Sequence, residues 1–171
     1  RHFHQHPEIA FNEHGTTERV HDALTAAGIA TRRLDGTGLV AEIGPAQPVY
    51  RSALRADLDA LPIPERTGLE FASRTANVCH ACGHDVHTSA VLGAALALKR
   101  HEEQLEQMRT AVRFIFQPAE EVMVGGAPDV IVPIPADFRL ASGEKLNQPN
   151  IVGRLHGRIG APVVVVAGGI S

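Results

Sequence analysis

The first 60 positions carry an apolar pattern that predicts one helix followed by two strands. Residues 16–18 offer a hydroxyl cap with an acidic residue in the first turn, and apolar side chains follow at helical spacing: Val20, Leu24 and Ala27. Gly28 stands where a glycine commonly ends a helix. Glycine and proline then separate two short apolar runs, 39–43 and 50–55, which we expect to be strands.

The rest of the chain alternates between irregular stretches and regular elements. Prolines and a glycine interrupt residues 57–77, which we expect to be irregular. Small and apolar residues at helical spacing predict a helix over 88–98. Branched and aromatic residues predict a strand at 111–116, and weaker strand patterns lie at 151–155 and 163–167. This order of elements predicts an α/β fold, a mixed sheet flanked by helices.

Length and composition are those of an ordinary globular chain, and the composition changes late in the sequence. A chain of 171 residues is about one domain. Prolines become frequent near 127–135, so we divide the chain there into residues 1–129 and a divergent tail, 130–171. The tail either completes the sheet or is a foreign fusion.

Charge and hydropathy argue against several classes of partner. A net charge of −3 and an aromatic content of 4% do not favour nucleic-acid binding. The longest apolar run, 161–167, is too short to cross a bilayer, and residues 1–6 lack the apolar core of a signal peptide. Two cysteines three positions apart suit use as thiolates in a reducing compartment, so we expect a cytoplasmic protein without a membrane partner.

The densest group of chemically active side chains lies at residues 79–88, directly before the second predicted helix. It holds two thiols, three imidazoles and a carboxylate, and thiolate and imidazole are the ligands that zinc and similar divalent metals prefer. Cys82 and His84 can converge on one cation if Gly83 lets the backbone turn, with Asp85 orienting a ligand from behind.

Two other interpretations of this group stay open, and a third does not. Cys82 can be a small buried apolar residue beside surface histidines. Cys79 and Cys82 have the spacing of a redox pair, although the strand that precedes such a pair in thioredoxin-like proteins is missing. Attachment of a c-type haem requires histidine directly after the second cysteine, and Gly83 occupies that position.

Acidic pairs follow two of the predicted strands. Glu120 and Glu121 come just after strand 111–116, and Asp57 and Asp59 come just after strand 50–55. Carboxylates at strand ends suit catalysis in an α/β protein, where one can bind metal while another transfers a proton. The competing interpretations are a solvated surface pair for the glutamates and a turn or helix cap for the aspartates.

The order and spacing of these segments resemble the aminoacylase-like metallopeptidases and amidohydrolases, in the branch that contains hippurate hydrolases and indole-acetyl-amino-acid hydrolases. The resemblance covers about the first three-quarters of the chain, and its motifs lie at 1–8, 55–63, 65–69, 80–88, 116–121 and 125–127. It implies part of the catalytic domain of a zinc-exopeptidase-like amidohydrolase, without the family's lid domain.

The resemblance also implies a role for each site residue. Cys82, His84 and Glu121 match metal ligands, and Glu120 matches the general base that activates the attacking water. Asp59 matches the aspartate that supports the family's catalytic site.

The implied cofactors are two divalent metal ions per complete site, either zinc, manganese or cobalt. The implied reaction is hydrolysis of the amide bond in an N-acyl amino acid or a related small amide. His87 lies within the matching motif and receives only a supporting role.

The chain also departs from the family. Its members are more than twice as long and supply two further histidine ligands, for which His156 is the one weak candidate here. From 130 onward the chain is instead loosely similar to the start of an α/β-hydrolase acyltransferase. The alternative function is therefore a truncated, catalytically inactive module that binds metal or a partner. Exposed strand edges would favour a homo-oligomer.

Overall fold

A computed structural model describes residues 1–122, 129–133 and 150–154. In chain order the elements are α1 (His2–Gln5), α2 (His14–Ala26), β1 (Thr31–Arg33), β2 (Leu39–Ile43), β3 (Tyr50–Asp57), α3 (His84–Lys99), α4 (Glu102–Gln107), β4 (Thr110–Gln117), β5 (Asp129–Pro133) and β6 (Asn150–Arg154). These residues belong to two compact units, one with α1 to β4 and one with β5 and β6. None of the helices described has the length and apolar character needed to span a membrane.

The larger unit is built on a four-stranded sheet in the order β1-β2-β4-β3. β3 runs parallel to β4, and the other neighbouring strands are antiparallel. The parallel pair is joined through α3 and α4, as a parallel connection requires a long crossover. The predicted α/β fold with a mixed sheet and flanking helices is therefore confirmed.

Aromatic and branched side chains of the central strands form the core. Phe114 and Phe116 of β4 are fully buried, and Leu39 of β2 lies with them. Helix α2 contributes Leu24, and α3 contributes Ala95, a small residue with no exposed surface. Both helices contact the sheet, and small residues on α3 allow its close approach to β3.

The predicted elements agree with the structure except at helix starts and in several short elements. Strand 39–43 is confirmed, and the strands predicted at 50–55 and 111–116 extend by one or two residues to β3 and β4. β1 and α4 were not predicted. The strand predicted at 163–167 lies outside the described residues.

The predicted cap of α2 is wrong. The helix begins at His14, and the Thr16 N–H and hydroxyl both donate to the carboxylate of Glu8, at 2.7 and 2.8 Å. The Gly15 N–H donates to the same carboxylate at 2.9 Å. A residue well before the helix thus satisfies the free N–H groups of its first turn.

The smaller unit is an antiparallel pair of strands. Its register runs from Asp129 opposite Arg154 to Pro133 opposite Asn150. β6 agrees with the strand predicted at 151–155, shifted by one residue. β5 was not predicted, because Pro128 precedes it, Pro133 ends it, and proline is rare inside a strand.

Candidate metal centre

The parallel pairing of β3 and β4 brings the two acidic pairs to one edge of the sheet. Asp57, the last residue of β3, lies opposite Gln117, the last residue of β4. The Leu58 N–H continues the ladder by donating to the Gln117 carbonyl at 3.0 Å. Asp59 and the segment 120–121 follow directly, so residues far apart in sequence meet at the carboxyl ends of adjacent strands.

Asp59 ties the two strand ends together. Its side chain is fully buried, and its Oδ1 and Oδ2 accept hydrogen bonds from the backbone N–H groups of Glu120 and Glu121 at 3.1 and 2.9 Å. Burial alone would raise the pKa of Asp59, but hydrogen bonds from His84 and from these two amides outweigh it and lower the pKa.

Gly83 makes the turn that brings Cys82 and His84 to the same side. It is the residue before α3 and has a φ of 84°, in the left-handed region that glycine tolerates. The turn at Gly83 on which convergence of Cys82 and His84 depends is therefore present. The helix begins directly at His84, four residues before its predicted start at Thr88, so His84 sits in the first turn beside the strand ends.

The imidazole of His84 is buried and held in one orientation. Its Nδ1–H donates to the backbone carbonyl of Asp59 at 2.8 Å. Its Nε2 lies 3.7 Å from Glu120 Oε2 and 3.8 Å from Glu121 Oε1. Histidines that bind metal usually donate their other N–H to a carbonyl or carboxylate in this way, which leaves the second nitrogen free to coordinate.

The predicted ligands Cys82, His84 and Glu121 form one cluster. One donor atom from each lies within 4.8 Å of the others. Two donors bound to one ion at 2.0–2.3 Å are at most about 4.6 Å apart, so small side-chain movements are enough for joint coordination. Within the described part of the chain, the buried Oε1 of Glu121 has no hydrogen-bond partner. A thiol, an imidazole and an unpaired carboxylate oxygen suit a divalent metal such as zinc.

A second cluster shares His84 and was only partly foreseen. Donor atoms of Asp57, His84 and His87 also lie within 4.8 Å of one another. Asp57 Oδ2 is 3.7 Å from His84 Nε2 and 3.5 Å from His87 Nδ1. From the sequence, His87 was expected only to support the site, and Asp57 was a strand-end carboxylate without an individual role. The signal was available, since residues three apart on a helix share a face and His87 follows His84 at that spacing.

The charges around this edge of the sheet favour a cation. Burial lowers the pKa of His84, but its hydrogen bond with Asp59 and the charge of Asp57 outweigh burial and raise the pKa to about 9. Burial and the charge of Asp57 raise the pKa of Glu120. Burial and the charge of Glu121 raise the pKa of the Cys82 thiol. All three shifts favour added positive charge, which a bound metal ion would supply instead of protons.

Asp85 does not orient a metal ligand as expected. Its Oδ2 lies 2.8 Å from Nδ1 of His4, and Nε2 of His4 lies 3.1 Å from Glu65 Oε1. Asp85 therefore connects α3 to α1 and to the irregular segment after β3. The residue that orients His84 is Asp59, through its backbone carbonyl.

Cys79 and His80, the first two residues of the Cys–His motif, are both buried. Cys79 is a core residue whose backbone pairs with that of Leu61. Cys79 and Cys82 are both free thiols, so no disulfide between them supports the interpretation as a redox pair. His80 is buried, and among the described residues neither of its ring nitrogens has a hydrogen-bond partner. Burial lowers its pKa to about 4, so the ring is neutral at pH 7. His156 lies outside the described residues.

Comparison with known proteins agrees with this geometry. The family model described as Peptidase family M20/M25/M40 matches residues 53–164. A putative glutamate–cysteine ligase 2-3 of Rhodococcus jostii is 48% identical over 77% of this chain and 16% of its own. An N-acetyl-L-cysteine deacetylase of Bacillus subtilis is 45% identical over 73% of this chain and 30% of its own. The chain thus spans less than a third of the length of these two relatives.

A solved structure is also similar to this chain. The YXEP protein of Bacillus subtilis, described as a dinuclear metal-binding peptidase from the M20 family, is 42% identical with a TM-score of 0.67. The match covers 72% of this chain and 34% of the other. The family resemblance drawn from the motifs is confirmed, and the chain belongs to peptidase family M20/M25/M40.

Proposed function

We propose that this chain carries half of a two-metal site that hydrolyses the amide bond of N-acyl amino acids or related small amides. The observation that supports this most directly is the convergence of Cys82, His84 Nε2 and Glu121 beside the carboxylate of Glu120. A ligand cluster with an adjacent base is what metal-dependent hydrolysis requires.

Cys82, His84 and Glu121 would hold one ion, and zinc, manganese and cobalt are the candidates. A bound divalent ion supplies Lewis acidity, which polarises the amide carbonyl and lowers the pKa of water. His84 is ready for this role because its Nδ1–H is fixed on the Asp59 carbonyl and its Nε2 faces the glutamates. We assign the second ion to ligands that include residues beyond this cluster.

Glu120 would be the general base. Its carboxylate lies next to the ligand cluster, and burial and the charge of Asp57 raise its pKa toward the range in which a carboxylate accepts a proton readily. Glu120 takes a proton from the attacking water and delivers it to the departing nitrogen. Asp59 supports both steps by holding the backbone of Glu120 and Glu121 in place.

The substrate class is a small linear amide with an acyl group on an amino acid. The Bacillus subtilis relative is named for deacetylation of N-acetyl-L-cysteine, which is a substrate of this kind. We propose N-acyl amino acids as the substrate class of this chain, and we do not assign N-acetyl-L-cysteine as its individual substrate.

The test measures release of free amino acid from a panel of N-acetyl amino acids with added zinc or manganese. Glu120→Gln should lower turnover by about 10²–10⁴-fold, the usual contribution of a general base, while metal still binds. Glu103→Gln changes an exposed glutamate on α4 and should leave turnover unchanged. Full turnover in Glu120→Gln would refute the mechanism. Metal binding without any turnover in the unmodified chain would favour the inactive module instead.

A further inference from the structure

The fully buried carboxylate of Glu13 has no role in the proposed mechanism. Glu13 precedes α2 and has no solvent-exposed surface. Within the described part of the chain, no lysine, arginine or histidine pairs with it. A buried carboxylate without a cation is expensive in free energy, so its contacts should reveal what it is for.

Glu13 reaches two distant segments of the chain. Its Oε2 accepts a hydrogen bond from the buried Thr37 hydroxyl at 2.6 Å. Its Oε1 accepts a hydrogen bond from the backbone N–H of Ala119 at 2.7 Å. Ala119 directly precedes the glutamate pair, so the second contact ends one residue away from the proposed base.

The backbone of Ala119 is in a conformation that requires support. Its φ is 55°, in the left-handed region where a non-glycine residue is strained by about 1–2 kcal/mol. The Ala119 N–H is held by Glu13, and the next two amides are held by Asp59. Two buried carboxylates from distant segments of the chain thus fix three successive peptide groups.

The neighbouring turn supports the same arrangement. The Gly38 N–H donates to the Thr17 hydroxyl at 2.8 Å, which fixes the turn containing Thr37 against α2. A Cβ atom added at Gly38 would lie only 2.6 Å from Pro118 Cδ and 2.7 Å from the Phe116 carbonyl oxygen. The turn before β2 therefore packs directly against the segment that leads from β4 to the glutamates.

We infer that Glu13 is a positioning residue for the Glu120–Glu121 pair, acting through the N–H of Ala119. The effect of Glu13 on catalysis rests on the proposed function. Its effect on the backbone of Ala119 does not. If the Glu13 contact is lost, Ala119 can relax to negative φ, and the side chains that follow it change direction. Glu121 then leaves Cys82 and His84, and Glu120 leaves the attacking water.

The test is amide hydrogen exchange in the full chain, followed by NMR. Glu13→Met removes both acceptor oxygens at similar side-chain length. Exchange at Ala119, Glu120 and Glu121 should accelerate by about 10–100-fold, while amides within β2 and α3 keep their protection. Thr37→Val is the matched control, since it removes the other hydrogen bond of Glu13 and should leave these three amides protected. Unchanged exchange at the three amides, or equal acceleration throughout the protein, would overturn the inference.

A milder variant decides the matter if Glu13→Met does not fold. Glu13→Asp shortens the side chain by one methylene group and withdraws the acceptor oxygen that lies 2.7 Å from the Ala119 nitrogen, so exchange at the same three amides should accelerate by about tenfold. No acceleration there would contradict the inference.

Turnover provides the functional measurement. Glu13→Met should lower kcat by about 100-fold with KM nearly unchanged, and Thr37→Val should retain kcat. Equal losses of kcat in the two variants would show that Glu13 acts only on stability. If the unmodified chain has no turnover, the proposed function fails, and the exchange measurements alone decide the role of Glu13.

Discussion

His84 donates its Nδ1–H to the backbone carbonyl of Asp59 across 2.8 Å, and this bond joins the start of α3 to the segment directly after β3. The carboxylate of the same aspartate accepts the amides of Glu120 and Glu121. One residue therefore orients the proposed metal ligand through its main chain and the glutamate pair through its side chain. Mutation of the side chain leaves the backbone carbonyl in place, although it also removes the Asp59 Oδ1 that lies 3.5 Å from His84 Nδ1.

Asp59→Asn should weaken the support of the glutamate pair while His84 keeps its bond to the backbone carbonyl, and the pKa of His84 should fall because the carboxylate of Asp59 raises it. An asparagine oxygen can accept one of the two amides, but the asparagine NH₂ group would face the other. Leaving that amide unpaired in the interior should lower stability by about 1–3 kcal/mol. Thermal unfolding measures the loss, and Asp35→Asn at an exposed position should cost less than about 0.5 kcal/mol. Equal effects of the two variants would contradict the proposed support.

The two cysteines should respond differently to the same substitution. Cys82→Ser removes the thiolate from the ligand cluster and should weaken metal binding by about 100-fold or more. Cys79→Ser alters a buried core residue outside the cluster and should lower stability while retaining metal affinity. Titration with cobalt, whose thiolate complexes absorb in the near ultraviolet, measures the metal affinity of both variants. Thermal unfolding measures their stability. Intact cobalt–thiolate absorption in Cys82→Ser would exclude Cys82 as a ligand.

Gly83→Ala should impair metal binding as well as stability. A side chain at φ 84° is strained by about 1–2 kcal/mol even though no atom lies within 4 Å of the added Cβ. Gly68 is the matched control, because it has a φ of 70° and equally open surroundings. Calorimetric titration with zinc should show weaker binding for Gly83→Ala than for Gly68→Ala. If the two variants bind zinc equally, the turn at Gly83 does not set the ligand geometry.

The metal-free protein should lose stability as pH rises from about 6.5 to about 9. The pKa of His84 is raised in the folded state to about 9, from 6.5, so its protonated form stabilises the fold fully below the lower value. That contribution, at most about 3 kcal/mol, disappears as pH passes the higher value. Urea unfolding in the presence of a chelator measures it, and His84→Asn should flatten the pH dependence.

Metal binding should have the opposite pH dependence. Coordination requires a neutral His84, so binding releases its proton and the affinity should rise with pH up to about 9. Proton release can be measured by titration calorimetry in buffers of different ionisation enthalpy. A pH-independent affinity would argue against His84 as a ligand.

Local patterns predicted most of the fold. Alternating and branched residues located β2 and the centres of β3 and β4. Buried and exposed side chains alternate every second residue along a strand, and this alternation is visible in the sequence itself. The start of α2 was misplaced because Glu8, which satisfies its first N–H groups, makes no local pattern with them. The start of α3 was placed too late because His84 is polar, although it is one of the most buried residues of that helix.

The candidate site was predictable in its residue types but not in its supporting contacts. Motifs identified Cys82, His84 and Glu121, which the structure brings together. Asp85 was assigned to them because it is adjacent in sequence, whereas its side chain points to His4. Glu13 could not be found, since its contact with Ala119 spans more than 100 positions and no spacing rule describes it.

The parallel ladder of β3 and β4 has a consequence for how this part of the protein tolerates change in length. Paired residues from Tyr50 with Thr110 to Asp57 with Gln117 set the distance between the acidic pairs. Insertions in the helical connection between α3 and β4 would therefore leave these carboxylates facing each other. Loss of a single residue within either strand would shift the ladder by one step and turn the following side chains to the opposite face. The connection can vary in length, and the two strands cannot.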